Sequence, residues 1–342
     1  MLIVHVGSKT WPPRHGGVEK VVFDLATAFP TSSVVFANTS EEQVKEGAPP
    51  VFQLRKGFFS SIKQLIDFAK NCNDTPIFHF HKETSIPLAL FIRLLGYRCV
   101  LTLHGFGWRI ARWSYWQRCA LWLLDLVAYF CLQRIIFVGQ YDWQTVRRWL
   151  PLSHLRWIPN GVVASKFARK EVIDADSWVY IGRISPEKNL LGLVEEAAFR
   201  GIRLHIYGPL DLRDHHFAAC FRKLVQAPGI TWHGPLPFEQ VIETLKRYGT
   251  LVNVSYSEGL PVSVLEGASC GLKLVLSDIP QHKTLNFPCV RYVKPHQLNF
   301  EYLPIGDGDD NRQHVLKHYS LDAMIKGYQL VYDELDYASI KK

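Results

Sequence analysis

Two carboxylates, Glu258 and Glu266, lie eight residues apart in Ser255-Tyr-Ser-Glu-Gly-Leu-Pro-Val-Ser-Val-Leu-Glu-Gly-Ala, with a Gly-Leu-Pro turn between them. A loop that runs into a helix offers backbone N–H groups and the positive end of a dipole to an anion. Carboxylates in such a place cannot hold phosphate themselves, but they accept hydrogen bonds from hydroxyls. A phosphate seat beside hydroxyl acceptors describes a ligand with phosphate and polyol parts, such as a nucleotide sugar. Glu266 is expected to open an apolar, small-residue helix.

A second stretch complements the first. Gly182-Arg183-Ile-Ser-Pro-Glu-Lys188-Asn189 follows the strand-like run Trp178–Ile181, which puts Arg183 at a strand end and Lys188 at the start of the next helix. Two cations there can neutralise a diphosphate and stabilise it as a leaving group. Alone, they read equally as solvated surface charges; the two glutamates tip the balance. Near the N-terminus, Gly16-Gly17 precedes a helix beginning near Val18, and glycines there let backbone approach a phosphate. The pair is not G-x-G-x-x-G, so it does not indicate a dinucleotide. His104 ends the run Cys99–Leu103, where the first half should face its ligand. His79 and His81 share one face of Ile77–His81 and read as structural or site-lining, since no third metal ligand stands at a suitable spacing.

These residues need elements to hold them. Short β-type runs (Leu2–Val6, Ser33–Phe36, Ile77–His81, Cys99–Leu103, Arg134–Val138, Arg156–Pro159) alternate with helical patterns, and the alternation restarts at Trp178 after an aperiodic stretch over 162–175. Strand–helix alternation means a doubly wound sheet with ligands at the strand carboxyl ends. The fold expected is α/β, with two tandem Rossmann-like domains facing a cleft: residues 1–164, residues 165–318, and a C-terminal helix in 319–342.

At 342 residues, 48% hydrophobic and 20% charged, the chain has globular composition and room for two cores. The net charge of +8 lies wholly in the first half: residues 1–160 hold 18 Lys+Arg against 10 Asp+Glu, while the rest balances. A basic half points to an anionic partner. The seven cysteines are scattered without a C-x-x-C pair and read as reduced thiols. No signal peptide is read at the N-terminus, and the longest apolar run, Ala120–Leu132, is 13 residues, too short to span a bilayer. Between 108 and 122 four tryptophans alternate with three arginines. Arg109, Arg112, Trp113, Trp116 and Arg118 suit a membrane interface or acceptor face; the competing reading is a helix that uses its tryptophans as core.

The ordered set of motifs resembles the retaining GT-B-fold glycosyltransferases of family four: Gly-Gly-Val-Glu, Thr-Leu-His-Gly, Ile-Pro-Asn-Gly-Val, Gly-Arg-Ile-Ser-Pro-Glu-Lys-Asn, Ile-Tyr-Gly-Pro, His-Gly-Pro-Leu and Glu-Gly-Leu-Pro-Val-Ser-Val-Leu-Glu-Gly. The resemblance implies that Gly16 and Gly17 meet the donor through backbone, that Arg183 and Lys188 bind its diphosphate, and that Glu258 holds sugar hydroxyls. It further implies that Glu266 holds the ribose, that backbone around Gly259, Leu260 and Pro261 helps hold the donor, and that His104 lies at the reacting face. It also implies that the last helix crosses back to the first domain. Two segments depart from the pattern, Ser277-Asp-Ile-Pro-Gln-His and Asp211-Leu-Arg-Asp-His-His, and leave the contacts to the donor's base open.

The expected reaction is transfer of a sugar, with retention, from a nucleotide-diphosphate donor (UDP rather than GDP) to a hydroxyl of a lipid-linked or cell-surface saccharide. No metal and no cofactor are expected, because the two cations serve the leaving group. The partners expected are the nucleotide sugar, a saccharide or glycolipid acceptor and an anionic membrane surface, without nucleic acid, on the cytoplasmic face of the membrane. The alternatives are a sugar-nucleotide epimerase of the same fold, which would alter the donor without an acceptor, and a non-enzymatic basic membrane-binding module, which leaves the glutamates without a role.

Overall fold

The computed structural model describes residues 1–14, 16–40, 47–109, 113–163, 174–301 and 306–340. Most of the stretch 162–175 and Arg112 lie outside them. The chain divides into two compact units: Met1–Pro159 with Met324–Lys342, and Asn160–Ala323.

The first unit is built from β1 (Ile3–Trp11), α1 (Gly17–Ala28), β2 (Ser33–Ser40), β3 (Val51–Gln53), α2 (Phe58–Lys70), β4 (Ile77–His81) and α3 (Ile86–Leu94), followed by β5 (Arg98–Leu103), α4 (Tyr115–Cys131), β6 (Arg134–Phe137), α5 (Gln140–Trp149) and β7 (Leu155–Trp157). Its seven strands are parallel, in the order β3-β2-β1-β4-β5-β6-β7. A strand buried on both faces should be apolar throughout. β4 instead alternates Phe78 and Phe80 with His79 and His81, all fully buried. The phenylalanines join Val4, Val6, Leu65 and Ile92 in an apolar core; the imidazoles face the other way.

The second unit holds β8 (Asp174–Ile181), α6 (Leu190–Phe199), β9 (Leu204–Tyr207), α7 (His215–Leu224), β10 (Ile230–Trp232), α8 (Val241–Leu245) and β11 (Tyr248–Asn253). It continues with α9 (Val262–Ser269), β12 (Lys273–Ser277), α10 (Pro280–Lys283), β13 (Val290–Val293) and α11 (Gly308–His318), and its last residues begin α12 (Leu321–Ile340). The sheet is again parallel, in the order β10-β9-β8-β11-β12-β13. From Met324 onward α12 belongs to the first unit. There Asp336 pairs with Arg98 at 2.9 Å and Glu334 with Arg134 at 3.0 Å.

Three elements were not expected from the sequence. β3 and β13 are short edge strands. α11 is polar and buries little beyond Gly308, Asn311 and Val315, so it shows no apolar period. Its anchor is polar: Asn311 donates to the carbonyls of Leu272 and Cys289 at 2.9 and 2.8 Å and accepts from Cys289 N at 2.9 Å.

Candidate active site

In open α/β sheets ligands bind beyond the strand carboxyl ends, where the strand order reverses. In the second unit that point lies between β8 and β11, and the two expected motifs leave the sheet there. Lys188 Nζ stands 2.6 Å from Glu258 Oε1. Tyr256 ties the loops further: its N–H donates to the Glu187 carbonyl at 3.0 Å and its hydroxyl to Asn189 Oδ1 at 2.9 Å. Ser255 Oγ and Asn253 Nδ2 also donate to Glu258 Oε1, at 2.6 and 3.2 Å. All three donors converge on Oε1, which leaves Oε2 to accept from a ligand hydroxyl. Burial alone would push the Glu258 carboxyl up; Lys188, His282 and the donated hydrogen bonds outweigh it and hold the pKa below the ordinary glutamate value.

Arg183 is half-exposed on the same β8–α6 turn, 3.5 Å from Glu187 Oε1. Its backbone is fixed, since the Tyr180 hydroxyl donates to the Arg183 carbonyl at 2.9 Å. Gly208, the glycine of Ile-Tyr-Gly-Pro, has φ +148° and sits so close to the Gly182 carbonyl that any Cβ would overlap it. A glycine is required there to let the β9 turn support the arginine loop.

Glu266 is buried in the second turn of α9, which starts at Val262. It does not open the helix, contrary to expectation, because Pro261 already serves as the N-cap. Gly259, Leu260 and Pro261 form the approach to that helix. The Leu260 side chain is buried and its carbonyl accepts from Asn160 Nδ2 at 3.1 Å, so this segment can offer a ligand backbone only.

Sequence reasoning missed His282, which lies in one of the two departing segments. Its Nδ1 is 3.0 Å from Ser277 Oγ and 3.1 Å from the Ser277 carbonyl. Ser277 Oγ in turn donates to the Ser255 carbonyl at 2.7 Å, so His282 Nδ1 must carry the proton. Burial lowers its pKa to about 4 although Glu258 pulls the other way. The only sequence signal was a histidine in the turn after a buried strand. Two Asp-x-Asp spacings occur in this unit, but neither stands at a strand carboxyl end: Asp174-Ala-Asp176 opens β8, and in Asp307-Gly-Asp309 the Asp307 carboxylate caps α11 by accepting from Asp309 N at 3.0 Å.

In the first unit Gly16 caps α1 and Gly17 begins it. A Cβ on Gly16 would meet open space, so the room it leaves is available to a ligand. Glu19 clamps the preceding loop, accepting from Thr10 Oγ1 and Arg14 N at 2.9 Å each. His104, partly exposed, follows the carboxyl end of β5. The notion that no third imidazole accompanies His79 and His81 is corrected: β1 supplies His5, the register partner of His79, and ligand atoms of the three lie within 4.8 Å of one another.

The Trp/Arg segment splits. Trp108 packs against the core and donates from Nε1 to Asp125 Oδ2 at 3.2 Å. Arg109, grouped with the surface cations by its spacing, turns inward to pair with the buried Asp142, its guanidinium 4.6 Å from the Phe106 ring centre. Trp113 is partly buried, whereas Trp116 and Arg118 are exposed and Trp116 shows 79% of its surface. Behind them lies an acid cluster that the sequence did not reveal. Glu83 accepts from Gly107 N at 2.6 Å, and its charge acts on nearby Asp125, whose Oδ1 is buried without a hydrogen-bond partner among the described residues. Burial, and then the neighbouring Glu83, push the Asp125 carboxyl up to about 9.

Comparison with known proteins agrees with the two-unit architecture. A family description named Glycosyltransferase Family 4 matches residues 15–166, and one named Glycosyl transferases group 1 matches residues 175–287, more than three quarters of the chain between them. The chain is 26% identical over 309 residues to a GDP-mannose:cellobiosyl-diphosphopolyprenol alpha-mannosyltransferase of Xanthomonas oryzae, covering 82% of this chain and 79% of that one. It is 27% identical over 229 residues to an Escherichia coli UDP-Gal:alpha-D-GlcNAc-diphosphoundecaprenol alpha-1,3-galactosyltransferase, a match that spans 59% of this chain and only 58% of the relative. In fold it matches a sucrose-phosphate synthase from Thermosynechococcus elongatus (TM-score 0.82, 16% identity, 98% and 99% of the two chains). It also matches Anabaena HepE in complex with UDP and glucose (TM-score 0.80, 11% identity, 98% and 100%). Two Rossmann-like units of this kind define the GT-B class of sugar-transferring enzymes. The chain belongs to glycosyltransferase family four.

Proposed function

We propose that this glycosyltransferase moves a sugar, with retention and without a metal, from a UDP-sugar to a hydroxyl of a polyprenol-diphosphate-linked saccharide. The observation that carries the reading is the Lys188–Glu258 pair at the strand-order reversal of the second unit. An ammonium has three donors; Glu258 takes one, and two remain for phosphate oxygens. Arg183 adds a second cation, the free N–H groups of the first turn of α9 a third source of positive potential, and Glu258 Oε2 an acceptor for sugar hydroxyls. Glu266 holds the ribose. Gly16, Gly17 and His104 keep their implied roles toward donor and reacting sugar.

In the step itself the acceptor oxygen bonds to the anomeric carbon as the carbon–oxygen bond to the β-phosphate breaks. The electron pair stays on the diphosphate, and the acceptor proton passes to a phosphate oxygen on the same face. Glu258 is a poor nucleophile for a covalent route, since one of its oxygens already accepts three hydrogen bonds. Thermal unfolding with UDP, GDP and ADP tests the donor. A ligand at about 100 times its Kd adds about 2.7 kcal/mol; UDP is expected to raise Tm most, and equal silence from all three would remove the reading. Incubating UDP-sugar without acceptor separates the epimerase, which alone would change the sugar.

The lipid acceptor calls for a membrane surface. No helix among the described residues is long and apolar enough to cross a membrane. α4 turns Asp125, Ala128 and Tyr129 inward and exposes Trp116, Trp122, Leu123 and Phe130; α2 and α3 add exposed Phe59 and Leu94. So much exposed apolar surface on a basic half suits the cytoplasmic face of an anionic bilayer. Sedimentation with phosphatidylglycerol vesicles is expected to carry the protein down, and Trp116→Ser with Trp122→Ser to cut the bound fraction at least tenfold. Equal binding by the double variant would dismiss this face.

A further inference from the structure

The sheet of the first unit buries a row of imidazoles that the transfer reaction does not explain. His5, His79 and His81 share one face, and α12 packs against it at His79. The Tyr332 hydroxyl lies 2.7 Å from His79 Nδ1 and Thr102 Oγ1 2.8 Å from its Nε2, with the Tyr328 hydroxyl 3.2 Å from Thr102 Oγ1. Both nitrogens of His79 are therefore occupied. The other rings form a line: His5 Nδ1 stands 3.4 Å from His81 Nε2, and His81 Nδ1 3.5 Å from His104 Nε2. At the far end His5 Nε2 is buried with no hydrogen-bond partner among the described residues.

We infer that His81, backed by His5, is a positioning residue that holds His104 as its Nδ1–H tautomer. Each neutral imidazole has one donor and one acceptor nitrogen, so a line of three has two possible polarities. If the protons ran toward His5, its Nε2–H would be a buried donor with nothing to accept it, the rarer kind of unsatisfied group. The opposite polarity leaves only a bare lone pair there. His5 Nδ1 then donates to His81 Nε2, and His81 Nδ1 donates to His104 Nε2. His104 is left with Nδ1–H as the one donor it can offer a ligand. Burial keeps the line neutral: His5 and His104 fall to about 3, and His81 lies well below its ordinary value. A divalent cation among His5, His79 and His81 fits less well, because both nitrogens of His79 already have partners in Tyr332 and Thr102.

The part His104 plays in transfer rests on the proposed function; its tautomer does not, so the two can fail separately. The test is a long-range 1H–15N correlation spectrum of the full chain with 15N-labelled histidine at pH 7, with the His104 signals assigned through His104→Asn. Wild-type protein is expected to show His104 protonated at Nδ1, and protonation at Nε2 would overturn the proposal whether or not the His81 variant folds. In folded His81→Leu, His104 is expected to revert mainly to Nε2–H and the donor KM to rise about tenfold, with a smaller change in kcat. An unchanged tautomer in that variant would overturn it. So would one tightly held zinc per chain after purification in zinc-containing medium, since a metallated His5 and His81 could not pass the protons along. Absence of sugar transfer by a protein with the expected tautomer counts against the function reading alone.

Discussion

Lys188→Ala is expected to stop sugar transfer and to weaken the second unit at the same time. Losing one charged donor to a developing anion costs roughly 2.7–4 kcal/mol of barrier, or two to three decades of kcat. The sequence alone would have made this a change of chemistry only. The 2.6 Å contact with a buried carboxylate makes it a structural change as well. Removing one member of a buried pair costs about 3–5 kcal/mol, because the other charge is stranded; Ser255 and Asn253 soften that loss. The double variant Lys188→Met with Glu258→Gln should recover most of the stability and none of the activity. Arg183→Ala, whose side chain is half-exposed, should lose transfer with little change in Tm. A Lys188→Ala protein with wild-type turnover would remove the lysine from the mechanism. Acid titration gives the sign of the pair: the folded pKa of Glu258 is lowered, so its stabilisation is present above the ordinary glutamate value and is lost as pH falls through the folded one.

Asp125→Asn is expected to act in the opposite direction. The folded pKa of Asp125 is raised to about 9, so the folded protein keeps a proton that the unfolded chain releases near its ordinary value of 3.8. Between those two values stability falls as pH rises, by at most about 1.4 kcal/mol per pH unit. Asparagine keeps an acceptor for the Trp108 indole and does not titrate. The variant should match wild type in urea unfolding near pH 5 and exceed it by a few kcal/mol at pH 9. Parallel pH profiles for the two proteins would show that Asp125 holds no such proton.

How much of this was legible in the sequence depended on whether the signal was local. The two parallel sheets were legible because buried strands and amphipathic helices alternate audibly along the chain. The link between Arg183-Lys188 and Glu258 was legible because both motifs sit directly after strands. His5 gave no warning: a lone histidine in an apolar strand acquires a partner only when β1 pairs with β4, 74 residues later. The acid cluster was hidden for the same reason, its members arriving from the β4 end, α4 and α5. Arg109 was misjudged because spacing cannot say which of several alternating cations turns inward. α11 escaped because it is anchored by Asn311 and not by an apolar stripe.

The return of α12 to the first unit has a consequence for biogenesis. The tyrosines that roof the imidazole row are Tyr328 and Tyr332, and they leave the ribosome only after the whole intervening unit has been synthesised. At about 5–20 residues per second, the opening sheet waits many seconds with a polar seam unroofed. Whatever chaperones the nascent chain must tolerate that delay, and the seam closes last.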